Sequence, residues 1–239
     1  MTSESYEYRD ADSTFVGYLA RPAAGGNGAG ILVLHEAPGL GAHALLRARM
    51  LAELGYVALA ADLYGNGVVA ADFEGALSLM RGLQADPILH RRRVRHALDT
   101  LADLPGVIPH SLAAIGYCSG GTSALELARS GAPVAGAVSF HGILHTPIEA
   151  SPGVIESRIL VCTGSADPLV PQAQVQAFEN EMTRAKADWQ VIVYGGAPHG
   201  FTDRNASSVG KPGFGHDERA DRRSWLAMQS FLTETLPSK

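Results

Sequence analysis

Residues 116–121 read Gly116-Tyr117-Cys118-Ser119-Gly120-Gly121, a nucleophile held between glycines with a thiol at the centre. A side chain presented on a tight strand-to-helix turn needs glycine on either side, where a Cβ would collide with the strand or the helix. The start of a helix also favours the thiolate over the thiol, because the N-terminal end of the helix dipole is positive. A thiolate so placed attacks an electrophilic carbon, and it needs a base and a group that orients the base. Two candidates lie further along the chain. Asp167 sits in Gly164-Ser165-Ala166-Asp167-Pro168, and His199 in Gly195-Gly196-Ala197-Pro198-His199-Gly200-Phe201. Ser119 is the rival nucleophile, but it is off centre between the glycines. A buried structural cysteine, a turn aspartate and a loop histidine are each commonplace; their conjunction is not.

That conjunction depends on the elements carrying them. Residues 30–35 form a short apolar run without alternation, the pattern of a strand covered on both faces, and 56–61, 112–117, 134–140, 158–163 and 190–194 read similarly. Residues 14–19 alternate weakly, as an edge strand does. Apolar residues at helical spacing predict helices over 43–54, closed by Gly55, and over 73–83, 88–101, 122–129, 172–186 and 220–235. Residues 23–28 read as a turn. Strands separated by helices require a mostly parallel sheet with helices on both faces. In such sheets the working residues lie beyond the carboxyl ends of strands. Cys118, Asp167 and His199 each follow a predicted strand, and so does Glu36 in Leu34-His35-Glu36-Ala37-Pro38. The chain order nucleophile, acid, histidine is that of α/β-hydrolases, whose oxyanion hole uses the N–H after the nucleophile and one from the loop after an early strand. Here these are the N–H groups of Ser119 and Ala37.

The 239 residues, 46% hydrophobic and 18% charged, suit one α/β domain over 1–239 and are too apolar for disorder. Two cysteines build no disulfide scaffold. A net charge of -5 argues against nucleic acid or an anionic membrane as partner. No apolar run is long enough to span a bilayer, and the polar start argues against a secretory leader, so a cytoplasmic protein is expected. The nine histidines show no metal-ligand spacing, so neither metal nor cofactor is expected. Arg91-Arg92-Arg93 and Arg95 read as a solvated helix face, Cys162 as core, and Trp225, Leu226 and Phe231 as packing of the last helix.

The pieces His35-Glu36, Asp62-Leu63-Tyr64, Gly116-Tyr117-Cys118-x-Gly120-Gly121, Gly164-x-x-Asp167-Pro168 and His199-Gly200-Phe201 together resemble the dienelactone hydrolase (carboxymethylenebutenolidase) family. The resemblance implies an α/β-hydrolase fold and hydrolysis of a small ester or lactone, with Cys118 as nucleophile, His199 as base and Asp167 as its partner. It also implies that Glu36 contacts the cysteine and helps convert thiol to thiolate when substrate binds. Substrate contacts are expected from Tyr64, Phe201 and Arg204. The best-known members grip a substrate carboxylate with two arginines, one of them four residues after the histidine. Asp203 stands at that position here, with Arg204 beside it, and Arg81 lies in the helical region after Asp62-Leu63-Tyr64 where the other is expected. Residues 201–218, rich in glycine and proline, are expected to wall the pocket. The remaining readings are a serine-type esterase using Ser119 and a non-catalytic binding protein on the same fold; a monomer or homodimer is expected.

Overall fold

A computed structural model describes residues 1–10, 13–23 and 25–236. Eight strands form one sheet: β1 (Thr2–Asp10), β2 (Ser13–Arg21), β3 (Gly30–Leu34), β4 (Val57–Ala61), β5 (Leu112–Tyr117), β6 (Gly136–Phe140), β7 (Arg158–Gly164) and β8 (Asp188–Tyr194). Six helices connect or follow them: α1 (Ala42–Glu53), α2 (Phe73–Gln84), α3 (Pro87–Ala102), α4 (Ser119–Arg129), α5 (Gln172–Ala185) and α6 (Glu218–Thr235). The strand order is β1-β2-β4-β3-β5-β6-β7-β8. The pairs β1–β2 and β2–β4 are antiparallel, and every pair from β4 to β8 is parallel. This is the α/β-hydrolase fold.

The unalternating apolar runs are explained by helices on both faces. Every residue of β3, β4, β5 and β6 is buried. Ile31 and Val33 pack with Ala44, Ala48 and Leu51 of α1 and Met228 and Leu232 of α6. Leu32 and Leu34 face the other way, onto Val94, Leu98 and Leu101 of α3 and Ala124 and Leu127 of α4. Period-2 alternation thus runs between two apolar layers instead of between core and water.

Several expectations need correction. The strand Thr2–Asp10 was not expected, because its Ser/Glu/Tyr alternation carries little apolar signal; it holds the sheet edge through Tyr8, whose hydroxyl donates to the Asp62 carbonyl at 2.8 Å and whose ring stacks on Phe15. Leu226 is 55% exposed. The buried stripe of α6 is Ala220, Ser224, Met228 and Leu232, at four-residue steps, and Leu226 falls off it. The arginine run is only half solvated. Arg92 and Arg95 make exposed pairs with Asp10 and Asp99, whereas Arg91 binds the buried Glu126 and Arg93 donates to the carbonyls of Leu63 and Tyr64. Of the turn over 23–28, Ala24 lies outside the described residues. Cys162 is fully buried in β7. Among the described residues no helix is long and apolar enough to cross a membrane.

Candidate active site

The sheet changes direction of winding at β3: β4 lies on one side of it and β5 on the other. Loops leaving β3 and β5 therefore diverge and leave a crevice at their carboxyl ends. Glu36 follows β3 and Cys118 follows β5. His141, Asp167 and His199 follow β6, β7 and β8.

Cys118 has φ 53° and ψ −119° at the turn into α4, a conformation costing roughly 1–3 kcal/mol for a residue with a Cβ. The flanking glycines are sterically required. A Cβ on Gly116 would lie 1.9 Å from the Gly120 carbonyl oxygen, and one on Gly120 would lie 2.1 Å from that of Leu34. The Cys118 N–H is held from two sides, by the Phe140 carbonyl at 3.0 Å and by His141 Nδ1 at 3.1 Å.

The sulfur faces His199. Its Sγ is 3.2 Å from His199 Nε2, and His199 Nδ1 donates to Asp167 Oδ2 at 2.9 Å. Asp167 is held in turn by the Leu169 N–H at 2.8 Å. Burial on its own pushes the His199 pKa down, but the neighbouring Cys118 sulfur and the bonds to Asp167 outweigh it and raise the value to about 10. The sulfur and the carboxylate together favour the charged form of the imidazole. Cys118, Asp167 and His199 thus meet as expected. Ser119 does not compete for the imidazole: its hydroxyl points to the His35 carbonyl at 3.3 Å.

The loop after β3 is locked by residues whose role was not read from the sequence. His35 Nε2 accepts the Leu63 N–H at 3.2 Å, so its proton is on Nδ1, which donates to the Glu36 carbonyl at 2.7 Å. Burial keeps this imidazole neutral, pushing its pKa down. The Glu36–Ala37 peptide is trans, so fixing its C=O toward His35 turns the Ala37 N–H the opposite way. Tyr64 fixes the next peptide, its hydroxyl donating to the Ala37 carbonyl at 2.8 Å. Asp62 braces the Tyr64 turn by accepting from the N–H groups of Val16, Tyr64, Gly65 and Gly67. The Asp-Leu-Tyr motif is therefore scaffolding for the Glu36–Ala37 loop. Tyr64 acts on that loop and does not line the cavity.

Glu36 is bonded to His43 Nδ1; among the described residues no hydrogen bond joins it to Cys118. Arg47 Nε donates to His43 Nε2 at 3.1 Å. The Nδ1 side of His43 is thereby left directed at Glu36. Burial raises the Glu36 pKa, but His43 outweighs it and the net direction is down. Arg47 also donates to Asp221 at 2.5 Å and to the Thr202 carbonyl at 2.8 Å. His141, directly after β6, has its Nε2 2.8 Å from Thr202 Oγ1 and packs edge-on to His199, ring centres 5.3 Å apart. Burial and the neighbouring His199 hold it uncharged, with its pKa well below the usual value. His43, Arg47 and His141 follow or precede the motifs but carry no pattern of their own, so only the fold reveals them.

These groups open on a cavity of about 480 Å³. Glu36, Cys118 and His199 form its floor. Pro38, Ala70, Phe73, Ala76 and Leu77 also line it, as do Asp203, Ala206, Val209 and Phe214. Residues 201–218 thus do wall the pocket. Phe201 does not: it is fully buried against His141 and Tyr194. Arg204 and Arg81 are exposed and outside the lining. Among the described residues no three His, Cys, Asp or Glu side chains converge to hold a metal ion.

Comparisons with known proteins agree with this architecture. The model of the dienelactone hydrolase family matches residues 15–236. A solved structure titled m3DLH is 43% identical, with a TM-score of 0.94 and 99% of each chain covered. The structure of P91, titled a dienelactone hydrolase-like promiscuous phosphotriesterase from metagenomic libraries, is 40% identical with a TM-score of 0.91, again over 99% of each chain. A Synechocystis protein bearing the provisional name carboxymethylenebutenolidase is 29% identical over 207 residues, covering 80% of this chain and 83% of its own length.

Proposed function

The chain belongs to the dienelactone hydrolase family of ester and lactone hydrolases, and from that premise we propose that Cys118 is its nucleophile and that catalysis runs through an acyl-thioester. The observation that carries the reading is His199 bridging Asp167 Oδ2 at 2.9 Å and Cys118 Sγ at 3.2 Å. The Cys118 thiolate attacks the ester carbonyl while the oxygen takes its charge between the N–H groups of Ala37 and Ser119. Neither N–H donates to a protein acceptor among the described residues, so both are free for a ligand. The tetrahedral intermediate collapses, the C–O bond breaks, and the departing alkoxide takes the Nε2 proton of His199. The neutral imidazole then removes a proton from water, and the hydroxide displaces Cys118 from the thioester. Asp167 keeps the imidazole in the tautomer and orientation both steps need. Glu36 lines the same cavity as Cys118 and is bonded to His43. A nucleophile that works as a thiolate fits a reducing compartment, which supports the cytoplasm as the site of action.

Separate Cys118→Ala and Ser119→Ala variants test this. With p-nitrophenyl acetate the cysteine variant loses on the order of 10³-fold or more in kcat/KM, while the serine variant keeps its backbone N–H and most of its activity. Mass spectrometry of a rapid quench detects the acyl group on Cys118. Retained turnover in Cys118→Ala refutes the nucleophile. Unlabelled Cys118 with no ester turned over returns the chain to a binding role.

A second substrate class has a specific support. The cavity lining contains no lysine or arginine, and P91, 40% identical throughout, is titled a phosphotriesterase. An uncharged phosphotriester therefore belongs beside the esters in the same assay, with phosphorylated Cys118 as the expected adduct.

A further inference from the structure

The cavity is lined by carboxylates and by no lysine or arginine. Glu36, Asp72 and Asp203 line it. Three positive groups lie near, and two of them are already paired with carboxylates. The His199 imidazolium is paired with Asp167 and the Cys118 sulfur. Arg47, behind His43, is paired with Asp221. Lys211 sits over the Phe73 ring, 5.5 Å from its centre, and is not part of the lining. Among the carboxylates, Glu36 is already bonded to His43. Asp72 caps α2, accepting the Gly75 N–H at 2.8 Å, and its charge faces the positive end of that helix. Asp203 has no such compensation. Its carboxylate accepts one backbone N–H, that of Asn205 at 2.9 Å, and no cationic side chain among the described residues pairs with it.

Resting on the hydrolase reading above, we propose that this site takes esters whose acyl part is uncharged and apolar and excludes acyl groups bearing a carboxylate, and that Asp203 is the residue setting this discrimination. The apolar walls, Pro38, Ala70, Phe73, Ala76 and Leu77 with Ala206, Val209 and Phe214, supply the attraction. The negative charges supply the rejection, since an anion entering here loses its water and finds carboxylates but no lysine or arginine in the lining. In a partly desolvated cleft two like charges a few ångströms apart repel strongly enough to change rates tenfold or more.

The test compares mono-p-nitrophenyl adipate with its methyl ester, two substrates of the same length that differ by one charge. The wild-type chain is expected to favour the neutral diester by about 100-fold in kcat/KM. Asp203→Asn narrows that ratio by about tenfold, and the narrowing is read from the ratio, so a general loss of activity does not imitate it. The wild-type ratio also shrinks as NaCl is raised to about 0.5 M, because salt screens the repulsion; this arm needs no variant to fold. Equal rates for the two substrates, or a faster anionic one, overturn the proposal and leave the hydrolase reading standing. So does an Asp203→Asn ratio equal to wild type, or a ratio indifferent to salt. Failure of both esters to turn over, with Cys118 left unacylated, overturns both readings together.

Discussion

His35→Phe removes an imidazole that never touches substrate, and its effect can be worked from the hydrogen bonds it makes. The ring is buried, accepts the Leu63 N–H at 3.2 Å and donates to the Glu36 carbonyl at 2.7 Å. Phenylalanine fills a similar volume, so little cavity energy is involved, but it leaves the Leu63 N–H without a partner. A buried donor so orphaned costs about 1–3 kcal/mol, expected as a drop of several degrees in Tm for a chain of this size. The second consequence is catalytic. The Glu36 carbonyl keeps only the Gly39 N–H at 3.1 Å, and the Ala37 N–H is no longer aimed at the oxyanion. Loss of one such donor costs about 10²–10³ in kcat, close to 3–4 kcal/mol. The assay pairs kcat and KM on p-nitrophenyl acetate with a melting curve. The fall belongs in kcat, since the donor acts mainly on the charged intermediate, and His35→Asn, which keeps a donor and an acceptor, recovers part of it. Normal kcat in a folded, destabilised His35→Phe protein refutes the peptide-orientation argument and leaves His35 a purely structural residue.

Two further outcomes follow from the elbow and the pair it presents. Gly120→Ala places a Cβ 2.1 Å from the Leu34 carbonyl oxygen, which neither β3 nor α4 can relieve without moving. Expect at least about 2–3 kcal/mol of destabilisation in urea melts, with loss of activity in whatever protein folds. In the pH dependence, His199 has a folded pKa raised to about 10 against an unfolded value near 6.5. The stability this pairing contributes is fully present below about pH 6.5 and is lost as pH climbs through about 10. The kcat/KM profile is therefore expected to hold through neutral pH and to fall above about 10, when the acid that protonates the leaving group is gone. A decline centred near pH 7 shows instead that the imidazole is unpaired with the sulfur.

Much of the fold was legible because its signals are local. Runs such as 30–34 and 112–117 are apolar throughout, since helices cover both faces, and the strands fall where expected to within a few residues. The convergence of Cys118, Asp167 and His199 was legible because each follows a strand, with glycines around the first. The supporting residues were not. His35 belongs to a recognisable pair, but that its ring orients a peptide depends on Leu63, 28 positions away. Arg47 reaches Asp221 across 174 positions. His141 acts through the backbone of Cys118 and through Thr202. Such roles are set by which strand neighbours which, and no local pattern encodes that. Phe201 misled for the opposite reason: an aromatic beside a catalytic motif looks like a pocket residue, and here it is the floor on which His141 rests.

The segment from 201 to 218 does not simply wander off and return. On its way back, the Gly213 carbonyl receives the His199 N–H at 2.8 Å, and the Gly215 N–H reaches the His199 carbonyl at 3.0 Å. The two walls of the cleft are thus unequal partners. Residues 70–77, from the far side of the sheet, can be exchanged to reshape the acyl chamber while the machinery stays put. A remodelled segment at 203–214 tugs on the His199 peptide, so on the proposed mechanism any gain in selectivity obtained there comes coupled to turnover. A library meant to broaden what this scaffold accepts should begin on the first wall, and tighten on the second only once rate is in hand.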